Sequence, residues 1–238
     1  MEAQRIGILG SSGGVGASTL ALALCGRAAT TGLRAVCVDG QWWSGGLDVV
    51  AGLEDRSGLR WADLTRVQGR VDGEALLAEL PSAAGVAVLS VDRGRPTRVD
   101  LEAARPVLDA IGRCVDACVI DLPRWGLPLA DELADLVDDV VVLGGESAIG
   151  LSGTAALVPL LEPLGGRLWL AQRDASTNPE LGQTVSELIG LPLLGVVPDD
   201  RAIPRALAAG SWPGTGAGSF GAACAQLLTQ LRLQAVPA

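Results

Sequence analysis

Ile6-Gly7-Ile8-Leu9, followed by Gly10-Ser11-Ser12-Gly13-Gly14-Val15-Gly16-Ala17-Ser18-Thr19, is the stretch whose reading decides the fold. An apolar run without polar alternation predicts a strand covered on both faces. Four glycines then fall within the seven residues Gly10 to Gly16, and a Leu- and Ala-rich helical pattern starts at Ser18. Glycines let backbone N–H groups turn inward around an anion, and the helix N-terminus that follows adds the positive end of its dipole. The stretch therefore reads as a phosphate-binding loop at a strand-to-helix junction.

The same alternation continues outward from the loop. Further short apolar runs at Ala35–Val38, Val86–Leu89, Ala117–Ile120, Val140–Leu143, Leu168–Ala171 and Leu193–Val197 predict strands. Between them, Ser18–Ala29, Leu101–Ile111, Ala148–Leu161, Pro179–Ile189 and Ala222–Leu233 predict helices. The fourth helix has Asn178 as N-cap, Pro179 at its first position and Gly190 just past its end. Pro106 is expected to kink or shorten the second. Strands alternating with helices, with no repeat or long linker, predict one doubly wound α/β domain with a mostly parallel sheet and helices on both faces.

Composition removes many chemistries. All 18 basic residues are Arg, and the chain contains no Lys, His or Tyr. No His-based triad, His metal site, Schiff-base Lys or Tyr general acid can be built from it. The net charge of −9 and the lack of any basic run argue against nucleic acid or an anionic membrane surface as a direct partner. The apolar runs fall short of the ~18–20 residues a membrane span needs, and the N-terminal run is too short for a signal segment. Five cysteines in apolar segments (Cys25, Cys37, Cys114, Cys118 and Cys224) read as free buried thiols of a cytoplasmic protein.

Two kinds of phosphate loop fit the spacing. Gly10-x-x-x-Gly14-x-Gly16 with Asp39 ending the second strand reads as a dinucleotide site, Asp39 meeting a ribose hydroxyl. Short-chain dehydrogenases have this spacing, but their Tyr and Lys are absent, which leaves only binding without that chemistry. Read as a P-loop, Gly13-Gly14-Val15-Gly16-Ala17-Ser18 resembles the deviant Walker A motif of the MinD/ParA ATPases. The Gly-Gly-Val-Gly-Ala-Ser-Thr form is similar to the CpaE/TadZ branch, associated with Flp pilus and tight-adherence secretion systems. Gly45-Gly46-Leu47-Asp48, Gly58-Leu59-Arg60-Trp61-Ala62-Asp63-Leu64, Val119-Ile120-Asp121-Leu122-Pro123 and Gly195-Val196-Val197-Pro198-Asp199-Asp200 resemble family segments further along, the second an actinobacterial CpaE-like group.

The resemblance implies ATP and Mg²⁺ as cofactors and a single MinD/ParA-like P-loop domain over residues 1–238. CpaE/TadZ relatives often carry an N-terminal receiver-like domain, which is not expected here. Residues 12–19 (Ser12, Gly13, Gly14, Val15, Gly16, Ala17, Ser18 and Thr19) would wrap the phosphates, with the Ser18 hydroxyl on Mg²⁺. Asp121, at the switch II position, and Asp39 are the candidate metal-side and catalytic carboxylates. Gln172 and Arg173 stand where relatives read adenine, and Pro198 and Asp199 where relatives give backbone contacts to the base.

Departures from the family pattern weaken the chemistry. Ser12 holds the signature-lysine position and Ala17 that of the lysine before the hydroxyl residue. Loss of such a charge-assisted contact costs about 1.5–3 kcal/mol, and the lysine also offsets charge in the transition state. The family's Asp-x-Asp reads Asp39-Gly40-Gln41, so Gln41 can orient a water but cannot act as a base. Arg124 follows switch II, at the γ-phosphate region or facing a dimer mate, and Trp42-Trp43 suit the core margin or an exposed partner patch. The expectation is an ATP-binding, weakly or non-hydrolysing homodimer that localises or helps assemble a pilus or secretion apparatus, or acts in septum-site-type positioning. Its partners would be pilus or secretion machinery proteins, with no nucleic acid and no direct membrane insertion. The alternative is a degenerate P-loop scaffold that binds proteins without nucleotide.

Overall fold

The computed structural model describes residues 3–41, 44–67, 69–124, 132, 136–162, 167–174 and 179–231. Its strands are β1 (Gln4–Gly10), β2 (Ala35–Asp39), β3 (Ser82–Ala83), β4 (Val86–Leu89), β5 (Ala117–Asp121), β6 (Asp139–Gly144), β7 (Arg167–Asp174) and β8 (Leu193–Pro198). The helices are α1 (Ala17–Thr30), α2 (Leu47–Val50), α3 (Trp61–Leu64), α4 (Gly73–Ala78), α5 (Leu101–Gly112), α6 (Ala148–Leu161), α7 (Pro179–Ile189), α8 (Ala202–Ala208) and α9 (Ser219–Gln230). The strands form one sheet in the order β3-β4-β2-β5-β1-β6-β7-β8. Every pairing is parallel except β3 with β4.

Successive strand side chains face opposite sides of a sheet, and here both sides are buried. Ile6, Ile8, Cys37, Val88, Val119 and Val141 pack with α1 and with Phe220, Cys224, Leu227 and Leu228 of α9. Val36, Val38, Leu89, Cys118, Ile120, Val140 and Val142 pack on the other side with Val107, Leu108 and Ile111 of α5, Leu157 and Leu161 of α6 and Val185 of α7. Two covered faces explain why the strands read as continuous apolar runs. Leu20, Leu22 and Leu24 are each no more than 1% exposed, and burial of a leucine side chain contributes roughly 1.5–3 kcal/mol. That anchors α1 firmly under the sheet and fixes the position of its N-terminus.

The C-terminal ends of the strands converge on one edge. Ile8 of β1 pairs with Asp121 of β5, Gly10 with Leu143 of β6, and Asp39 of β2 with Asp121. The chain leaves β1 toward β2 and β4 on one side and toward β6 to β8 on the other, so β1 ends at the point where an open α/β sheet places its ligand.

Some elements differ from the sequence expectation. Helices α2, α3, α4 and α8 and the edge strand β3 run two to seven residues, too short for a period to emerge. Helix α5 continues through Pro106 to Gly112; the proline removes one backbone hydrogen bond, and the buried Val107, Leu108 and Ile111 hold the helix on. Helix α9 begins at Ser219 rather than at Ala222, because Phe220 and Gly221 are drawn into the core. Gly190 has φ +72° and donates to the Ser186 carbonyl at 2.9 Å, closing α7 as read from the sequence. Asn178, Trp42 and Trp43 lie outside the described residues. The five cysteines are free, with all but Cys114 buried. Among the described residues no helix is long and apolar enough to cross a membrane.

Candidate functional site

The loop between β1 and α1 is shaped by its glycines. A side chain at Gly10 would begin 2.9 Å from Val15 Cγ1, so only glycine lets the loop fold back over the strand end. Gly14 and Gly16 have φ +74° and +103°, conformations that a β-carbon disfavours. Gly16 serves as N-cap of α1 without a side-chain cap, and no acidic residue occupies the first turn. The first N–H groups of α1 and its dipole thus face the loop unopposed.

Neighbouring elements hold the loop from two sides. Ser11 N donates to Leu143 O at 3.0 Å, and Ser11 Oγ accepts from Gly145 N at 3.2 Å. Helix α6 approaches through glycines: a side chain at Gly153 would begin 2.2 Å from Ser11 O, and one at Gly150 would begin 2.8 Å from the Gly145 backbone. Ser12, at the signature-lysine position, lies toward Gly145. On the opposite rim, Arg173 Nη1 donates to Val15 O at 2.9 Å and Arg173 Nη2 pairs with Asp199.

The two carboxylates below the loop have different lives. Asp121, at the end of β5, is 2% exposed, and its Oδ1 has no hydrogen-bond partner. Burial pushes this carboxyl up to about 7; the Ser18 hydroxyl opposes the rise, the Asp39 charge adds to it, and the Gln41 side chain opposes it. Asp39 is fully buried, but its oxygens are spoken for. Oδ1 accepts from Gln41 N at 2.9 Å, and Oδ2 accepts from Leu47 N at 2.8 Å and Ser90 Oγ at 3.0 Å. Burial raises Asp39 as well, opposed by the N–H groups of Leu47 and Gln41 and by the Ser90 hydroxyl. Asp39 stands beside Asp121 as expected, yet its oxygens order the following loop, leaving Asp121 as the carboxylate with an open oxygen.

The residues expected around the base cluster at the ends of β7 and β8. Gln172 is fully buried: its Nε2 donates to Arg173 O at 2.9 Å and its Oε1 has no partner. Asp199 N donates to Asp174 O at 3.4 Å, while the Asp199 carboxylate turns back to Arg173. Pro198 ends β8 opposite Asp174.

Sequence reasoning missed the layer behind Asp39. Ser90 Oγ lies 3.3 Å from Asp48 Oδ1, and Asp48, 3% exposed, pairs with Arg60 Nε at 3.3 Å and Arg93 Nη1 at 2.7 Å. Arg60 also donates to the carbonyls of Leu53, Arg56, Gly58 and Leu59. The signal was available: Asp48 ends the Gly-Gly-Leu-Asp segment, and Ser90 follows a strand at the ligand-binding edge.

A glycine loop on β1, followed by a helix N-terminus and faced by a β5 carboxylate, sits in one mostly parallel sheet that matches solved structures over almost the whole chain. Pyrococcus horikoshii MinD complexed with Mg-ADP superposes with a TM-score of 0.75 at 20% identity, covering 96% of both chains. A ParA family ATPase from Chlorobium tepidum superposes with a TM-score of 0.79 at 15% identity, covering 98% of this chain and 99% of that one. The fold is that of the MinD and ParA ATPases. In sequence, this MinD/ParA-fold chain is 34% identical over 200 residues to an uncharacterized protein of Mycobacterium tuberculosis, 84% of this chain and 55% of that one. The chain thus spans just over half the length of that relative. It is 24% identical over 220 residues to the uncharacterized ATP-binding protein MJ0547 of Methanocaldococcus jannaschii, 89% of this chain and 80% of that one. No family model matches the chain.

The donor set suits a magnesium nucleotide. Mg²⁺ takes one or two protein oxygens and completes its shell with phosphates and water. The Ser18 hydroxyl and the open Asp121 oxygen supply such a set, next to a loop whose N–H groups suit phosphates.

Proposed function

We propose that this chain binds ATP with Mg²⁺ in the loop from Ser12 to Thr19 and hydrolyses it slowly or not at all. The observation that carries the reading is the buried, unpartnered Asp121 oxygen beside Ser18, at the mouth of a loop whose glycines take positive φ. An orphaned buried acceptor is costly, and a bound cation removes that cost. Ser18 and Asp121 hold the metal. Gln41, at the half-buried edge beside Asp121, positions a water. Gln172, near the end of β7, and Pro198 and Asp199, at the end of β8, flank the base. The bound metal supplies charge neutralisation for the phosphates. Slow turnover follows from Ser12 and Ala17, which provide no charge where the family has lysines.

The bound state works as a homodimer. Helix α6, which touches the loop through Gly153, contains no charged residue and exposes Ile149 at 78% and Leu160 at 62%. An apolar face continuous with a nucleotide loop suits a second copy whose docking depends on nucleotide. Its role is the positioning or assembly of a pilus or secretion apparatus in the cytoplasm, as the CpaE/TadZ resemblance suggests.

Titration calorimetry tests the binding step. Mg-ATP added to the purified chain should saturate, and Ser18→Ala and Asp121→Ala should each weaken binding by roughly 10- to 100-fold. Absence of saturation up to millimolar ATP would sink this reading. The missing lysines would then favour the alternative, a P-loop scaffold that binds protein partners without nucleotide.

A further inference from the structure

We infer that Arg173 is the clamp of the glycine loop and, together with Arg124, supplies the positive charge that the absent lysines would have given it. The inference rests on the nucleotide reading above for its ligand but not for its geometry. The chain has no lysine, and both loop positions where the family places one are neutral, Ser12 and Ala17. Two guanidinium groups from other elements nonetheless reach the loop. Arg124 Nη2 lies 3.9 Å from where a side chain at Gly13 would begin, and Arg173 Nη1 lies 3.8 Å from the same point at Gly16.

Arg173 does more than approach. Its Nη1 donates to the Val15 carbonyl at 2.9 Å. In a trans peptide the carbonyl and the next N–H point in opposite directions, so holding Val15 O toward Arg173 turns Gly16 N–H away from it, to the anion side. The guanidinium fork is completed by Asp199, which fixes its plane. Arg173 is therefore a positioning residue for the phosphates. This differs from the base-reading role expected for its position, because the fork is spent on the loop carbonyl and on Asp199.

Mg-tripolyphosphate separates the two roles, since it carries phosphates and no base. Arg173→Ala should weaken tripolyphosphate and ATP alike, by roughly 10- to 100-fold, and should speed hydrogen exchange of the amides from Gly13 to Ser18 in the nucleotide-free protein. Arg173→Lys keeps the charge and loses the fork, so its affinity falls between. Asp199→Asn keeps an acceptor oxygen and removes a negative charge, so it should tighten tripolyphosphate by about two- to fivefold. A merely structural ion pair would instead make Asp199→Asn weaken binding, and that result overturns the proposal. So does an Arg173→Ala protein that loses ATP affinity while keeping tripolyphosphate affinity, the pattern of a base reader. If the wild-type chain binds neither ligand, the nucleotide reading fails by itself, and the exchange rates alone judge the clamp: rates unchanged in Arg173→Ala overturn it.

Discussion

Asp121 is the residue where stability and ligand binding pull in opposite directions. A carboxyl pushed up to about 7 by burial holds a proton in the folded state that the unfolded chain releases near pH ~4. Folding therefore takes up a proton in that interval, and the contribution of Asp121 to stability, fully present below about pH 4, is lost as pH rises through 7. Asp121→Asn removes the penalty. We expect the nucleotide-free variant to be more stable than wild type at pH 7.5, by up to about 4 kcal/mol, with a flatter dependence on pH, and to lose its response to Mg-ATP. Urea denaturation at pH 5 and 7.5 measures this. A variant no more stable than wild type at pH 7.5 would mean that the carboxylate is already compensated without a metal. The loop glycines and Asp121 were legible in the sequence because their chemistry is written in residue type. The difference between Asp121 and Asp39 was not, since it depends on how the loop after Asp39 turns Leu47 N back to it and on Ser90 Oγ, which is distant in sequence and meets Asp39 only in the fold.

Helix α6 shows how an element is placed by what its residues lack. Gly150 and Gly153 have no room for a β-carbon against Gly145 and Ser11, and this lets the helix sit directly on the glycine loop. Gly153→Ala should drive the helix off Ser11, lowering stability by roughly 1–3 kcal/mol through overpacking and weakening Mg-ATP in the same variant. Ser152→Ala, one position away and exposed, should change neither. Equal denaturation midpoints for the two variants would show that the approach is not tight. The sequence placed α6 at its observed limits, Ala148–Leu161, from pattern alone. It could not say that two of its glycines were contact points, because a glycine in a helix reads only as a weak position until its neighbour is known. The short helices α2, α3 and α4 were illegible for a related reason. Helices α2 and α3 are held by the hydrogen bonds of Asp48 with Arg60 and Ser90, and α4 by its Asp72 cap and the buried Leu76, not by a period of their own.

At the scale of the whole molecule, an acidic chain of net charge −9 presents an apolar, uncharged helix beside its glycine loop. Sedimentation should find a monomer without nucleotide and a dimer with Mg-ATP, and Ile149→Glu should block the dimer while the monomer still binds ATP. Dimerisation of Ile149→Glu equal to wild type would place the contact elsewhere. Binding should also raise thermal stability with ligand concentration, by about 2.7 kcal/mol at a hundredfold excess over Kd. The sequence by itself determined the doubly wound sheet, its parallel strands, the glycine loop and the absence of lysine, because periodicity and residue chemistry are local properties. Only the tertiary structure decided that Asp39 is consumed by its own loop, that Asp121 keeps an open oxygen, and that Arg173 reaches across from β7 to the carbonyl of Val15. Those outcomes depend on which atoms from distant segments arrive at the same few ångströms, and a linear pattern carries no record of that.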